Sequence, residues 1–116
     1  MYQALGDRAD FYVVYIAEAH SADGWQMASN LAEGVVIDQP RAFAERVAAA
    51  TRCAAELGLT IPTLIDAMDD AALEAFAAWP ERIFVAGADG RLAYCGGPGP
   101  FEFDPAAART ALEALV

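Results

Sequence analysis

His20, the only histidine of the chain, stands two residues after a carboxylate, Glu18, in the segment Tyr15 to Trp25, YIAEAHSADGW. Side chains two apart on an extended chain point to the same side. An acid beside an imidazole can hold and move a proton near neutral pH. Asp23-Gly24 then makes a turn that Trp25 closes. On these residues alone the plainer reading is preferred: a polar loop whose histidine happens to be singular, since many such pairs are only structural. Glu18, His20 and Asp23 can also be drawn as metal ligands. One histidine and two loop carboxylates lack the spacing of metal sites, so no metal is assigned. No cofactor is assigned either. The segment GGPGP, residues 96–100, lacks a helix-opening GxGxxG pattern, and its prolines remove N–H donors that a phosphate needs.

These side chains need a scaffold that brings them to one place. Phe11 to Ala17 is a near-continuous apolar run and reads as a strand covered on both faces, as in a parallel sheet. In open α/β sheets chemistry gathers beyond the carboxyl ends of such strands, where Glu18 and His20 fall. Asp38 with Pro40 predicts a helix start, and the helix runs to about Leu57, where Gly58 stops it. Its apolar stripe is Phe43, Val47, Ala50, Ala54 and Leu57, with Cys53 beside it. Thr63 to Ile65 is a short extended piece. Asp69 or Asp70 caps a second helix through about Ala78, with Leu73 and Phe76 inward. Arg82 to Ala86 and Arg91 to Cys95 are antiparallel strands joined by a turn at Asp89-Gly90. Asp104-Pro105 starts a last helix to Leu115. The fold class is α/β.

Composition sets the bounds. A chain of 116 residues is one domain with a modest core. Hydrophobic content of 57% excludes disorder. No apolar run approaches the ~20 residues of a membrane span, and no signal peptide is visible, which points weakly to the cytoplasm. A formal charge of −10 argues against nucleic acid or an anionic membrane as partner. All seven basic residues are Arg, a mark of coding bias more than of function. The two cysteines form no CxxC and open no helix, so neither Cys53 nor Cys95 is read as a catalytic thiol.

Several segments, in one order, carry a resemblance: YIAEAHSADGW, then IPTLIDAMDD (61–70), WPERIFV (79–85) and DGRLAYCGGPGPFEFDP (89–105). Together they resemble the iodothyronine deiodinase family from about Phe11 to the C-terminus. The resemblance implies a thioredoxin-like fold and a thiol- or selenol-dependent oxidoreductase. Its nucleophile, a selenocysteine or a cysteine, lies upstream of the Phe11 strand, where this chain has only MYQALGDRAD. Residues 1–116 are therefore expected to be a single, N-terminally incomplete thioredoxin-like domain lacking its first core strand and most of its first helix. Met1 to Leu5 would be the last turns of that helix, with Gly6 as terminator. As written the chain is expected to be inactive. A selenocysteine codon taken as a stop, a chain shortened on purpose and a naturally short relative are the three explanations.

The resemblance also implies roles. His20, oriented by Glu18, handles the proton. Arg82 faces the substrate, Pro80 matches the cis-proline that shapes the substrate groove, and Trp25 belongs to the same substrate-binding set. Vertebrate members of that family carry a second histidine a little before the Asp-Arg pair of the long helix. Counting back from Glu45-Arg46, this chain has Pro40 there, which points away from thyroid hormone as the natural substrate. The expected partners are a small-molecule substrate and a reducing thiol. The absent strand would leave two unpaired edges, so association between copies is also expected. The alternatives are a non-catalytic binding domain of the same fold and a fragment of a peroxiredoxin-like peroxide reductase.

Overall fold

Glycine, proline and aspartate set the element boundaries of this α/β chain. A computed structural model describes residues 1–19 and 38–116. Helices α1 (Tyr2–Leu5), α2 (Phe43–Leu57), α3 (Ala71–Phe76) and α4 (Pro105–Glu113) and strands β1 (Val13–Tyr15), β2 (Thr63–Ile65), β3 (Phe84–Ala86) and β4 (Leu92–Cys95) fall into two compact units. One comprises residues 1–11 and 78–116, the other residues 12–77.

In the first unit β3 and β4 form an antiparallel hairpin, Phe84 opposite Cys95 and Val85 opposite Tyr94, with an irregularity between Val85 and Ala86. Its turn matches the expected Asp-Gly. Gly90 adopts φ +79°, a conformation that favours glycine. Asp89 Oδ1 accepts from Arg91 N at 3.0 Å. Asp104 Oδ1 accepts from Ala107 N at 3.0 Å, and Pro105 occupies the first turn, so α4 starts as its sequence predicts. Ala108 and Leu112 of α4 are buried with Val85 and Leu5, and Phe11, Ile83 and Tyr94 pack around them. Gly6 does end α1, but in ordinary right-handed conformation. A Cβ there would lie 2.8 Å from the Tyr2 carbonyl oxygen, so close approach explains the glycine.

In the second unit β1 and β2 pair in parallel, Val14 opposite Leu64. Val13 N donates to Pro62 O and Asp66 N donates to Tyr15 O, which carries the ladder past both strand ends. Helix α2 packs on β2 and ends as expected at Gly58, which is left-handed at φ +62°.

Four local expectations need correction. The Phe11–Ala17 run shortens to Val13–Tyr15 and is not covered on both faces. Val14 is 44% exposed, its partner Leu64 is 51% exposed, and Tyr12 is exposed beside them. Helix α2 begins at Phe43 rather than near Asp38: Ala42 before it is extended (φ −138°, ψ 156°), and Glu45 Oε2 in the first turn accepts from Arg41 N at 2.7 Å. The buried side of α2 is Arg46, Ala49 and Ala50, so Phe43 and Leu57 lie outside it and are exposed. Phe76 is likewise exposed rather than inward.

Candidate functional site

The carboxyl end of β1 leads to Glu18, and the structure shows what holds it there. The Gln39 side chain brackets the Glu18 backbone: Gln39 Oε1 accepts from Glu18 N at 3.0 Å, and Gln39 Nε2 donates to Glu18 O at 2.9 Å. One amide thus supplies both bonds that a neighbouring strand would supply. Cys53, half-buried on α2, senses the same carboxylate. Burial, followed by the negative charges of Glu18 and Glu56, pushes the Cys53 thiol up from its ordinary value. That environment favours the protonated thiol and not a nucleophilic thiolate. His20, Asp23 and Trp25 lie outside the described residues. Among the described residues no three His, Cys, Asp or Glu side chains are grouped to hold a metal ion.

At the carboxyl end of β2 the chain turns around a charged cluster. Arg46 is only 3% exposed. Its Nη1 donates to the carbonyls of Asp66, at 3.2 Å, and Ala67, at 2.8 Å, and its Nη2 bridges to Asp70 Oδ1 at 2.9 Å. Asp66, 5% exposed, caps α3 with both oxygens: Oδ1 accepts from Ala72 N at 2.9 Å and Oδ2 from Leu73 N at 3.0 Å. This corrects the expectation that Asp69 or Asp70 caps the helix. Asp70 precedes α3 in left-handed conformation, φ +58°, and its carboxylate serves Arg46, although Asp69 Oδ1 does accept from Ala71 N at 3.2 Å.

Burial alone would raise the Asp66 carboxyl. The backbone N–H groups of Leu73, Ala72 and Ala67 and the charge of Arg46 outweigh it, so the group sits below its ordinary value of 3.8. A lowered folded-state value means stability that is present above the unfolded value and lost as pH falls through the folded one. Asp66→Asn should therefore cost about 2 kcal/mol at neutral pH, since an amide N–H would face a helix N–H. The gap between the two proteins should close in acid. Denaturant unfolding at pH 7 and in strong acid checks this; a gap independent of pH would rule out the ionised cap.

In the other unit Arg82 is fixed on three sides. Its Nε donates to Gly96 O at 2.6 Å, its Nη2 lies 3.4 Å from Cys95 Sγ, and its guanidinium carbon stands 4.9 Å above the Phe84 ring. Cys95 is exposed. The Trp79–Pro80 bond is cis, as the resemblance implied, and Gly99–Pro100 is also cis. The structure thus brings Arg82 and Pro80 into one unit and Glu18 into the other.

Sequence reasoning missed Gln39, Asp66 and Arg46. Only Arg46 left a signal, a charge at helical spacing from Ala49 and Ala50. Comparison with known proteins then decides the family. The profile described as iodothyronine deiodinase matches residues 2–116. The chain belongs to the iodothyronine deiodinase family. It is 35% identical over 105 residues to the type I iodothyronine deiodinase of Xenopus laevis, covering 90% of this chain and 39% of that protein. To the type II iodothyronine deiodinase of Petromyzon marinus it is 36% identical over 110 residues, covering 92% of this chain and 36% of the relative. To the thyroxine 5-deiodinase of Homo sapiens it is 34% identical over 104 residues, 90% of this chain and 33% of the relative. The chain therefore spans between a third and two fifths of the length of these deiodinases.

Family membership overturns the cytoplasmic placement expected from the sequence. The deiodinase relatives are membrane-associated proteins. No helix among the described residues is long and apolar enough to cross a membrane, which does not restore that placement.

Proposed function

We infer that residues 1–116 form one thioredoxin-like domain of a deiodinase-type oxidoreductase, and that its attacking selenol or thiol is neither Cys53 nor Cys95. The observation that carries this reading is the family match across nearly the whole chain. The parallel β1–β2 pair and the antiparallel β3–β4 hairpin support the thioredoxin-like assignment. The raised Cys53 thiol supports looking elsewhere for the nucleophile. In the working enzyme that selenol or thiol attacks a small-molecule substrate, His20 with Glu18 handles the proton, Arg82 and Trp25 contact the substrate beside Pro80, and a reducing thiol restores the resting state.

The test compares two proteins in iodide release from an iodinated phenol with dithiothreitol as reductant: this chain alone, and this chain joined to a segment bearing the family's nucleophile. Release only from the second supports the reading. Equal release from both, abolished by Cys53→Ser or Cys95→Ser, would assign the chemistry to a cysteine already present. No release from either, with binding of the phenol retained, would favour a non-catalytic binding domain.

We also infer that copies of this chain associate. Tyr12, Val14 and Leu64 expose an apolar face on the β1–β2 pair, and exposed strand surfaces of this kind favour association. Sedimentation should show a concentration-dependent dimer that Val14→Lys weakens; a monomer at all concentrations would end the idea.

A further inference from the structure

Glu18 is anchored through its main chain by a side chain 21 positions away in sequence. The two bonds to the Gln39 amide, at 3.0 and 2.9 Å, engage both the N–H and the C=O of one residue. Such bracketing fixes the direction of the Cα–Cβ bond, and staggered rotamers then leave the carboxylate few places to stand. The amide needs both a donor and an acceptor at this reach, which glutamine alone supplies as a neutral side chain, asparagine being one carbon shorter. Gln39 is partly buried and followed by the buried Pro40, whose ring fixes its own φ, so the bracket is itself seated.

We propose that Gln39 is a positioning residue: it sets where the Glu18 carboxylate stands at the carboxyl end of β1. Its catalytic consequence rests on the reading of Glu18 as partner of His20, but the placement itself does not.

Cys53 is the reporter. The charged carboxylates acting on it are Glu18 and Glu56, both of which hold the thiol protonated. In a Cys95→Ser background Cys53 is the only thiol, and its alkylation by neutral iodoacetamide can be followed against pH. Glu18→Gln should shift that profile to lower pH and speed alkylation a few-fold at fixed, mildly alkaline pH. Gln39→Met, equal in length but without the hydrogen bonds, should reproduce most of the shift, and the double variant should add nothing further. The Glu18 amide should exchange its hydrogen about tenfold faster in Gln39→Met.

Circular dichroism confirms that each variant is folded. An unchanged Cys53 profile in Gln39→Met, with Glu18→Gln shifted, would overturn the placement, as would an unaltered Glu18 amide. So would a Cys53 profile indifferent to Glu18→Gln. The single His20 C2–H resonance separates this from the proposed function. If its titration ignores Glu18→Gln, the proton pair fails, while the Cys53 profile still decides the role of Gln39.

Discussion

Arg46→Ala should cost about 3–4 kcal/mol of folding stability, more than any other single truncation among the described residues. The guanidinium is almost fully buried, and it alone gathers the Asp66 and Ala67 carbonyls and the Asp70 carboxylate. Deleting it leaves the carbonyl of the buried Asp66 without the donor it has here, while the Ala67 carbonyl keeps Asp70 N at 2.9 Å and the Asp70 carboxylate, 35% exposed, turns to water. It also opens a void under α2, with the loss of packing that long side-chain stems supply. The left-handed Asp70 loses the partner that holds it, so the Asp66 cap on α3 should loosen as well. Arg46→Lys should recover little, because one ammonium cannot span the two carbonyls and the carboxylate with a planar fork. Arg46→Met separates packing from polarity: it refills volume but leaves the Asp66 carbonyl without its donor, and should remain about 2 kcal/mol below the parent. Denaturant unfolding of the three variants checks the order. An Arg46→Ala protein within about 1 kcal/mol of the parent would show that the cluster is solvated rather than buried.

How far these features were legible in the sequence follows from how far apart the partners lie. Asp104-Pro105, Asp89-Gly90 and Gly58 act on their immediate neighbours, and each appears in the structure as its local chemistry demands. The Phe11–Ala17 run carried no information on which of its faces would find a partner. Apolar composition fixed its tendency to extend, while the coverage of Val14 depended on what packs there. For α3 two aspartates sat at the expected cap position, and the acceptor that took both helix N–H groups was Asp66, five residues before Ala71. The left-handed turn at Asp70 redirected the nearer side chain towards Arg46. The Glu18–Gln39 bracket spans 21 residues and joins an amide to a main chain, which no local pattern encodes. The family was legible from several segments in one order, and the profile match over residues 2–116 bears the family out.

The largest functional effect should come from His20→Ala in the protein that carries the attacking selenol or thiol. Turnover should fall about 10²–10⁴-fold, the usual contribution of a positioned general acid or base. His20 is the only imidazole of this sequence. Glu18, two residues before it, has its backbone fixed by Gln39, which gives a proton-handling side chain a set origin from which to work. Glu18→Gln should reduce the rate less than His20→Ala, because it removes the charge that favours imidazolium while leaving the ring in place. If Glu18 pairs with His20 as proposed, removing its charge should move the His20-dependent limb of the rate profile to lower pH. His20→Ala should abolish that limb altogether. A rate within a few-fold of the parent, with the pH profile intact, would remove His20 from the chemistry, and the proton would then have to reach the substrate from solvent or from the reducing thiol itself.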